Sequence, residues 1–405
     1  MPMATGVGMV LSGTAPAMTL MSGAMLAFAE RDVEFEVIST TGVGGLIGML
    51  YLAPKGGDRV KALKELSNLF VSDWLYRLFP VNFKVFHKFG PFANAFYKFR
   101  EKLPQFHVEP GDRSEVKRLV NDWIQLWATA ISPRSLESKH NGLMSHVPLI
   151  EELVDFAKLK ASPTRFYLNA FSLRTLKLRF FDNQTTNTEA YNAAQAMFVL
   201  FPPVYTADDI LTTGATRDPT GLQAIWLFER TKLSRVLALD PLTRSYGRTP
   251  ANAYDAFQLM LMNPIAALQE LTFQLYVDTQ ALDATLPELK ILPVPMDSLD
   301  SSYYPKMLEW THDNAVRLQK IGYDAAVNLA KALAVNHPDL ETLNLEKYSF
   351  AKFLAAQPRP QQFREMFTRA YEPSNWSRIV QHLRERYETS PSYPQSPSRG
   401  TEAST

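Results

Sequence analysis

Short apolar runs alternate with longer stretches of helical periodicity along most of the chain. Six of these runs are strand candidates, namely Gly8–Ser12, Glu34–Ser39, Arg165–Phe171, Thr175–Phe180, Arg235–Leu239 and Leu289–Val294. Strands that alternate with helices build layered sheets, so the pattern predicts an α/β domain. The first run is apolar on both faces, which is typical of a strand buried inside a parallel sheet.

Three regions depart from this alternation. Residues 58–146 contain no convincing strand and are predicted to form helices inserted between βα units. Residues 336–388 are predicted to form a helical C-terminal extension, with helices at Gln361–Tyr371 and Ser374–Tyr387. The tail, 389–405, is rich in Ser and Pro and is predicted to be disordered. The α/β domain is therefore expected to span residues 1–335.

The N-terminal stretch is apolar enough to raise the question of a leader or a membrane span, because no charged side chain precedes Glu30. A signal peptide is disfavoured because there is no basic segment at its start. A span is disfavoured because Ser12, Gly13, Thr14 and Pro16 interrupt the run of about 20 apolar residues that a span requires. The stretch is predicted to be the first βα unit of the domain.

Composition narrows the function classes. The 405 residues include 42 Lys and Arg against 41 Asp and Glu, so no overall positive field favours nucleic acid. The chain has no Cys, which excludes disulfides and thiolate metal sites. Its seven His residues are scattered, with no HExxH pair, so neither a metal nor a cofactor is expected. The expected location is cytoplasmic, with peripheral association with a membrane left open.

A strand, a tight turn and a small-residue helix follow one another between Phe35 and Gly48, which is the layout of a nucleophile elbow. In G-x-S-x-G elbows the central Ser is the nucleophile, and here Gly42 stands at that position. Four further segments accompany this one along the chain. They are Met9–Met18 upstream, which contains Gly13, Thr14 and Ala15, then Phe201–Val204 with Leu211–Ala215, and finally Trp310–Ala326.

Together these segments resemble a patatin-like phospholipase, over roughly Met9 to Leu333. The resemblance implies a three-layer α/β/α fold with a mostly parallel central sheet and an inserted helical cap over the site. It also implies an oxyanion loop that contains an Arg, and a Ser–Asp dyad. In this chain the loop is Gly13-Thr14-Ala15 without the Arg, Gly42 replaces the Ser, and Thr213 replaces the Asp.

Acyl transfer needs a nucleophile, a base and donors for the oxyanion, and the chain departs from the family at all three positions. It is therefore expected to keep the fold without the hydrolysis, and to bind lipid, an acyl chain, a partner protein or a homologous subunit. The alternative is an active lipid acyl hydrolase of lipid metabolism that uses a non-standard nucleophile, Thr41 with Asp218. A simpler interpretation is that Ser12, Ser39, Thr40 and Thr41 satisfy backbone groups at turns.

The inserted region contains a stretch, residues 74–100, that is rich in aromatic and basic residues and has no acidic residue. Its expected lipid-binding residues are Phe83, Lys84, Phe86, Lys88 and Phe89. Basic side chains beside an aromatic face suit an anionic membrane surface or an acyl-chain pocket. The aromatics could equally pack the cap onto the domain, and stacking on nucleic-acid bases is a third, weaker alternative. Farther along, His312 and Asp313 are expected to be a solvated pair on a long helix.

Overall fold

A computed structural model describes residues 6–13, 18–79, 82, 84, 115–131, 149–198, 200–241, 249–250, 253–283, 285–293 and 309–336. All of them belong to one compact unit, Met1–Leu345. The predicted C-terminal extension and tail lie beyond residue 336, outside the described residues.

The centre of the molecule is an eight-stranded, mostly parallel sheet. The strands are β1 Gly6–Leu11, β2 Val37–Thr41, β3 Arg165–Ser172, β4 Leu178–Asp182, β5 Val204–Tyr205, β6 Ile210–Thr213, β7 Leu233–Asp240 and β8 Glu288–Pro293. β3, β2, β1, β7 and β8 are parallel neighbours in that order. β4 and β6 both pair antiparallel with β3, and β5 pairs antiparallel with β6.

The helices lie between the strands along the chain. They are α1 Met18–Ala29, α2 Gly44–Leu52, α3 Arg59–Glu65, α4 Asp73–Leu78, α5 Glu115–Ile131, α6 Leu149–Leu153, α7 Phe156–Ala161, α8 Thr188–Gln195, α9 Leu222–Ala224, α10 Ala253–Leu282 and α11 His312–Asn336. α9 continues into one π-helical turn, Ile225–Glu229. None of the described helices is long and apolar enough to cross a membrane.

The sheet has a core on each face, because successive side chains of a strand point to opposite sides. On one side Met9, Ile38 and Phe166 pack among the buried residues of α1 and α2. On the other side Val10 and Val37 pack with Phe273 and Tyr276 of α10. The predicted three-layer α/β/α class is therefore confirmed.

All six predicted strands exist, with ends displaced by a few residues. β5 and β6 were not predicted. They are only two and four residues long, too short for a residue pattern to show. β6 is placed by its pairing with β3, and β5 by its pairing with β6.

The helix after the first strand is buried on every side, since all twelve residues of α1 are buried. Two glycines allow α11 to approach it closely. A Cβ added to Gly23 would lie 1.8 Å from the Gln319 carbonyl oxygen, and one added to Gly322 would lie 1.9 Å from that of Leu20. This packing explains why the N-terminal stretch is so apolar: it forms the first strand and a central helix of the fold.

Candidate functional site

The ends of two strands meet on one edge of β3. Asn169 pairs with Thr41 of β2, and the next residue, Ala170, pairs with Thr213 of β6. Both Asn169 and Ala170 also pair with β4, which must therefore occupy the opposite edge of β3. Since β6 runs antiparallel to β3, the last residues of β2 and β6 face one another end to end. The sequence positions predicted for the dyad thus come together in space.

The turn after β2 places Gly42 in the left-handed region, with φ of 51°. Glycine adopts this conformation without the steric penalty that a side chain meets there. A Cβ on Gly42 would lie 2.8 Å from the carbonyl oxygen of Gly13 and 3.0 Å from its Cα. The backbone of Gly13 would therefore have to shift before residue 42 could carry the side chain of a nucleophile.

Gly13 also contacts the segment after β6. Its N–H donates to the carbonyl oxygen of Pro219 at 3.1 Å. A Cβ on Gly13 would lie 3.1 Å both from Cβ of Ala215 and from Cγ2 of Thr41. The first residue of the predicted oxyanion loop is thus packed between the two strand ends. Thr14 and Ala15, the other two predicted loop residues, lie outside the described residues.

Thr213, at the expected position of the acid, is buried at the end of β6. Its hydroxyl accepts a hydrogen bond from the backbone N–H of Ala215 at 3.2 Å and so caps the short helical turn that follows. A Cβ on Gly214 would lie 2.1 Å from Oδ1 of Asn169. Thr213 therefore has a local structural role, and it offers no carboxylate to a nucleophile.

Asp218 is fully buried and organises the loop that follows Thr213. Its Oδ1 accepts from the hydroxyl of Thr220 at 2.7 Å and from the N–H of Gly221 at 2.9 Å. Its Oδ2 accepts from the N–H of Gln223 at 3.1 Å and from Nδ2 of Asn169 at 3.2 Å. Burial raises the pKa of this carboxyl above its ordinary value.

The Thr41 hydroxyl is also fully buried, and it has no hydrogen-bond partner among the described residues. It therefore makes no hydrogen bond to Asp218, its predicted partner, whose two oxygens are each occupied by two other donors. A general base must lie within hydrogen-bond reach of the proton it removes. The geometry does not bring Thr41 and Asp218 together in that way.

The neighbouring hydroxyls are occupied by structural contacts. Ser39 donates to the carbonyl oxygen of Gly221 at 2.6 Å, and Thr40 donates to that of Tyr167 at 2.8 Å. The Ser12 hydroxyl lies 3.8 Å from the sulfur of Met21.

Asn169 is a buried polar residue of this site that no sequence pattern predicted. Its Nδ2 donates to the backbone and side-chain oxygens of Asp218, while its Oδ1 is buried without a partner among the described residues. The available signal was an amide within the otherwise hydrophobic run Phe166–Phe171. A buried polar side chain in a central strand usually has a specific partner.

The structure corrects the expected position of Lys84. Instead of facing lipid, its ammonium is buried 2.7 Å from Oδ1 of Asp122 in α5. It also donates to the carbonyl oxygens of Asn68 and Phe70. Burial lowers the pKa of Lys84, and the Asp122 carboxylate opposes that effect. Phe83, Phe86, Lys88 and Phe89 lie outside the described residues, so their lipid contact stays a prediction.

His312 is likewise not the solvated residue that was expected. It begins α11 and is 8 % exposed, with Arg118 of α5 donating to its Nδ1 at 2.9 Å. Asp313 is the exposed member of the pair, 3.4 Å from the same nitrogen. Burial, with the Arg118 charge beside it, lowers the pKa of His312. The sequence pattern around His312 could not show this contact, because Arg118 lies 194 residues earlier in the chain.

Large apolar side chains are exposed on the inserted helices. We call this group the aromatic surface: Trp74, Leu78, Phe79, Val120 and Trp127, each 44 to 61 % exposed. The half-buried Trp123 of α5 connects the exposed residues of α5 with those in and after α4. The centre of its ring lies 6.3 Å from that of Trp74 and 6.4 Å from that of Phe79. Exposed apolar patches of this kind often mark binding surfaces.

A separate hollow of about 500 Å³ lies beside β4 and α8. Arg179 on its wall lies 3.7 Å from Asp208 and 3.8 Å from Asp209, so much of its local charge is already balanced. No group of three or more His, Asp or Glu within the described ranges is arranged to hold a metal ion.

Comparison with known proteins adds little to this geometry. No model of a known protein family matches the sequence, and no curated relative matches it. Among solved structures, the crystal structure of VipD from Legionella pneumophila is similar at 13 % identity and a TM-score of 0.37. The match covers 82 % of this chain and 67 % of that chain. So slight a likeness carries no argument about function.

Proposed function

We propose that this chain is a non-hydrolytic protein of patatin-like architecture that binds lipid at the aromatic surface. The absence of hydrolysis rests on one observation above all: residue 42 is a left-handed glycine, and the Gly13 backbone lies too close, 2.8 Å from the Cβ position, for a side chain to be added without a shift. Catalysis at this turn would therefore need both a new hydroxyl and a displaced loop.

The neighbouring groups support the same proposal. Thr213 cannot act as a carboxylate base, and its hydroxyl is used in capping the next turn. A nucleophilic hydroxyl is weak unless an adjacent base activates it. Thr41 has no such base among the described residues, although its unpartnered hydroxyl keeps the alternative of an acyl hydrolase worth testing.

The test is the reaction of purified protein with p-nitrophenyl acyl esters, with phospholipid and with a serine-directed fluorophosphonate. We expect turnover equal to a buffer blank and no covalent labelling. Thr41→Val, which keeps the shape of the side chain, serves as the control. Stoichiometric labelling of the wild-type protein that Thr41→Val abolishes would overturn the proposal and establish the hydrolase.

The lipid part of the proposal rests on the composition of the aromatic surface. Trp74 and Leu78 lie on one side of α4 with the exposed Arg77, and Val120 and Trp127 lie on one side of α5. Indole rings and a nearby cation suit the boundary between lipid headgroups and acyl chains. A partner protein is the other occupant that such a surface could take.

Co-sedimentation with vesicles tests whether the aromatic surface binds lipid rather than a partner protein. With vesicles that contain phosphatidylcholine and phosphatidylserine, we expect wild-type protein to bind and Trp74→Ala with Trp127→Ala to lose binding at an unchanged Tm. The matched control is Phe198→Ala with Leu227→Ala, which removes two exposed apolar side chains elsewhere. If the wild-type protein does not bind vesicles, the lipid part is wrong, whatever the result of the hydrolysis test.

A further inference from the structure

The 30-residue helix α10 is apolar on the face that it turns to solvent. Its inner face packs on the sheet through Phe273 and Tyr276. The side chains along its outer face form what we call the outer stripe: Met260, Pro264, Ala267, Leu271, Leu275, Asp278 and Leu282, all exposed. Six of the seven are apolar, whereas the solvent face of a surface helix is normally polar.

The outer stripe is symmetric about Leu271. From this residue the positions of the stripe follow at four, then three, then four residues in both directions along the helix, and the exposed Ala281 lies beside the stripe. An isologous interface brings the same patch of two identical subunits together, so it requires a self-complementary surface of this kind. We propose that α10 is a dimer interface, in which two copies of the chain pair their α10 helices antiparallel about a two-fold axis at Leu271.

The register that this symmetry sets fits both the sizes and the charges of the side chains. Leu271 meets its own copy, and Leu275 lies opposite the small Ala267, so large and small residues interdigitate. Asp278 lies opposite Pro264, toward the end of the contact where water reaches it. There its Oδ1 already accepts from Nε2 of Gln274 at 2.7 Å.

Other arrangements of the same helices are less favourable. A parallel pair would place the two Asp278 carboxylates opposite one another, and like charges repel. An antiparallel pair shifted to a centre between Gln274 and Leu275 would place Asp278 against Leu271, which would bury a carboxylate without an opposite charge.

The size of the stripe indicates a weak dimer. From Met260 to Leu282 the helix is about 33 Å long, and a helix is about 10 Å wide, so the contact covers roughly 330 Å² of each copy. Stable interfaces bury about 800 Å² per partner, so association is expected only at protein concentrations well above those of tight dimers. α10 carries three acidic residues and no Lys or Arg. Because salt screens the repulsion between acidic residues, added salt should strengthen association.

Cysteine cross-linking tests the register, since the natural chain contains no Cys and every introduced thiol is unique. A disulfide needs Cα atoms within about 7 Å. Leu271→Cys should therefore cross-link to its own copy. Ala267→Cys alone and Leu275→Cys alone place their two copies about 12 Å apart along the axis and should not, whereas a mixture of these two variants should.

Leu282→Cys is the control for random collision, because this side chain is 90 % exposed but its two copies would be about 33 Å apart. Sedimentation of wild-type protein over a concentration series should show reversible dimers that Leu271→Glu abolishes at unchanged Tm. Leu227→Glu, at an exposed position outside α10, should leave them intact.

Wild-type protein that stays monomeric at several hundred micromolar would overturn the proposal. So would equal cross-linking of Leu271→Cys and Leu282→Cys, which would mean that the disulfides form by random collision.

Discussion

Gly42 is required for two independent physical reasons. Its φ of 51° disfavours any side chain, and the Gly13 carbonyl oxygen lies only 2.8 Å from where Cβ would be. The positive φ is a property of the turn alone, whereas the close contact depends on Gly13, about thirty residues earlier in the chain.

Gly42→Ser should therefore destabilise the protein more than strain alone predicts. A side chain in this region of φ costs about 1–3 kcal/mol, and overpacking typically adds about 1–3 kcal/mol. Gly56→Ser is the matched control, because Gly56 also has positive φ, 93°, but nothing lies within 4 Å of its Cβ position. Urea unfolding should give a larger loss of unfolding free energy for Gly42→Ser than for Gly56→Ser. Equal losses would mean that Gly13 yields without cost.

Buried polar contacts connect separate segments of the inserted region, residues 58–146. Asp122 of α5 accepts from the N–H and hydroxyl of Ser72 and pairs with Lys84, which in turn donates to the carbonyl oxygens of Asn68 and Phe70. One carboxylate and one ammonium thus connect three separate segments. Removing one member of a buried pair leaves the other charged and unpaired, which costs about 3–5 kcal/mol.

A double-mutant cycle on this pair should show strong coupling. Lys84→Met alone and Asp122→Asn alone should each cost about 3–5 kcal/mol, and the double variant should cost clearly less than their sum. Asn at 122 keeps an acceptor for Ser72. The control cycle is Arg59→Met with Glu34→Gln, an ion pair at the surface that should contribute no more than about 1 kcal/mol. If the losses of unfolding free energy at Lys84 and Asp122 simply add, the two side chains do not stabilise the protein through their ion pair.

His312 makes the stability of the whole domain depend on pH. The residue links α11 to α5 through Arg118, and its backbone N–H donates to the Val71 carbonyl oxygen. Its pKa is lowered by burial and by the Arg118 charge, so the folded protein takes up the proton at lower pH than the unfolded chain. Stability from this group is therefore present above about pH 6.5 and is lost as the pH falls below that value.

Thermal unfolding at pH 7.5 and at pH 5.5 measures this effect. We expect the Tm of the wild-type protein to fall more on acidification than that of His312→Gln, because glutamine does not titrate. Other groups that titrate in this interval are common to both proteins and cancel in the comparison. An identical fall in the two proteins would mean that His312 has the same pKa in the folded and unfolded states.

The alternation of strands and helices, the α/β class and the glycine turn at residue 42 were all predictable from residue patterns, because these features depend on neighbours a few positions apart. The meeting of β2 and β6 was not, since a strand of four residues acquires its place only by pairing with β3. The buried contacts of three side chains were not predictable either. Asn169 contacts Asp218, 49 positions away, Lys84 pairs with Asp122, and His312 contacts Arg118. The residues that flank a charged or polar side chain in the sequence do not show whether it is exposed to water or buried beside a partner. Only the packing of distant segments decided which of these groups are buried.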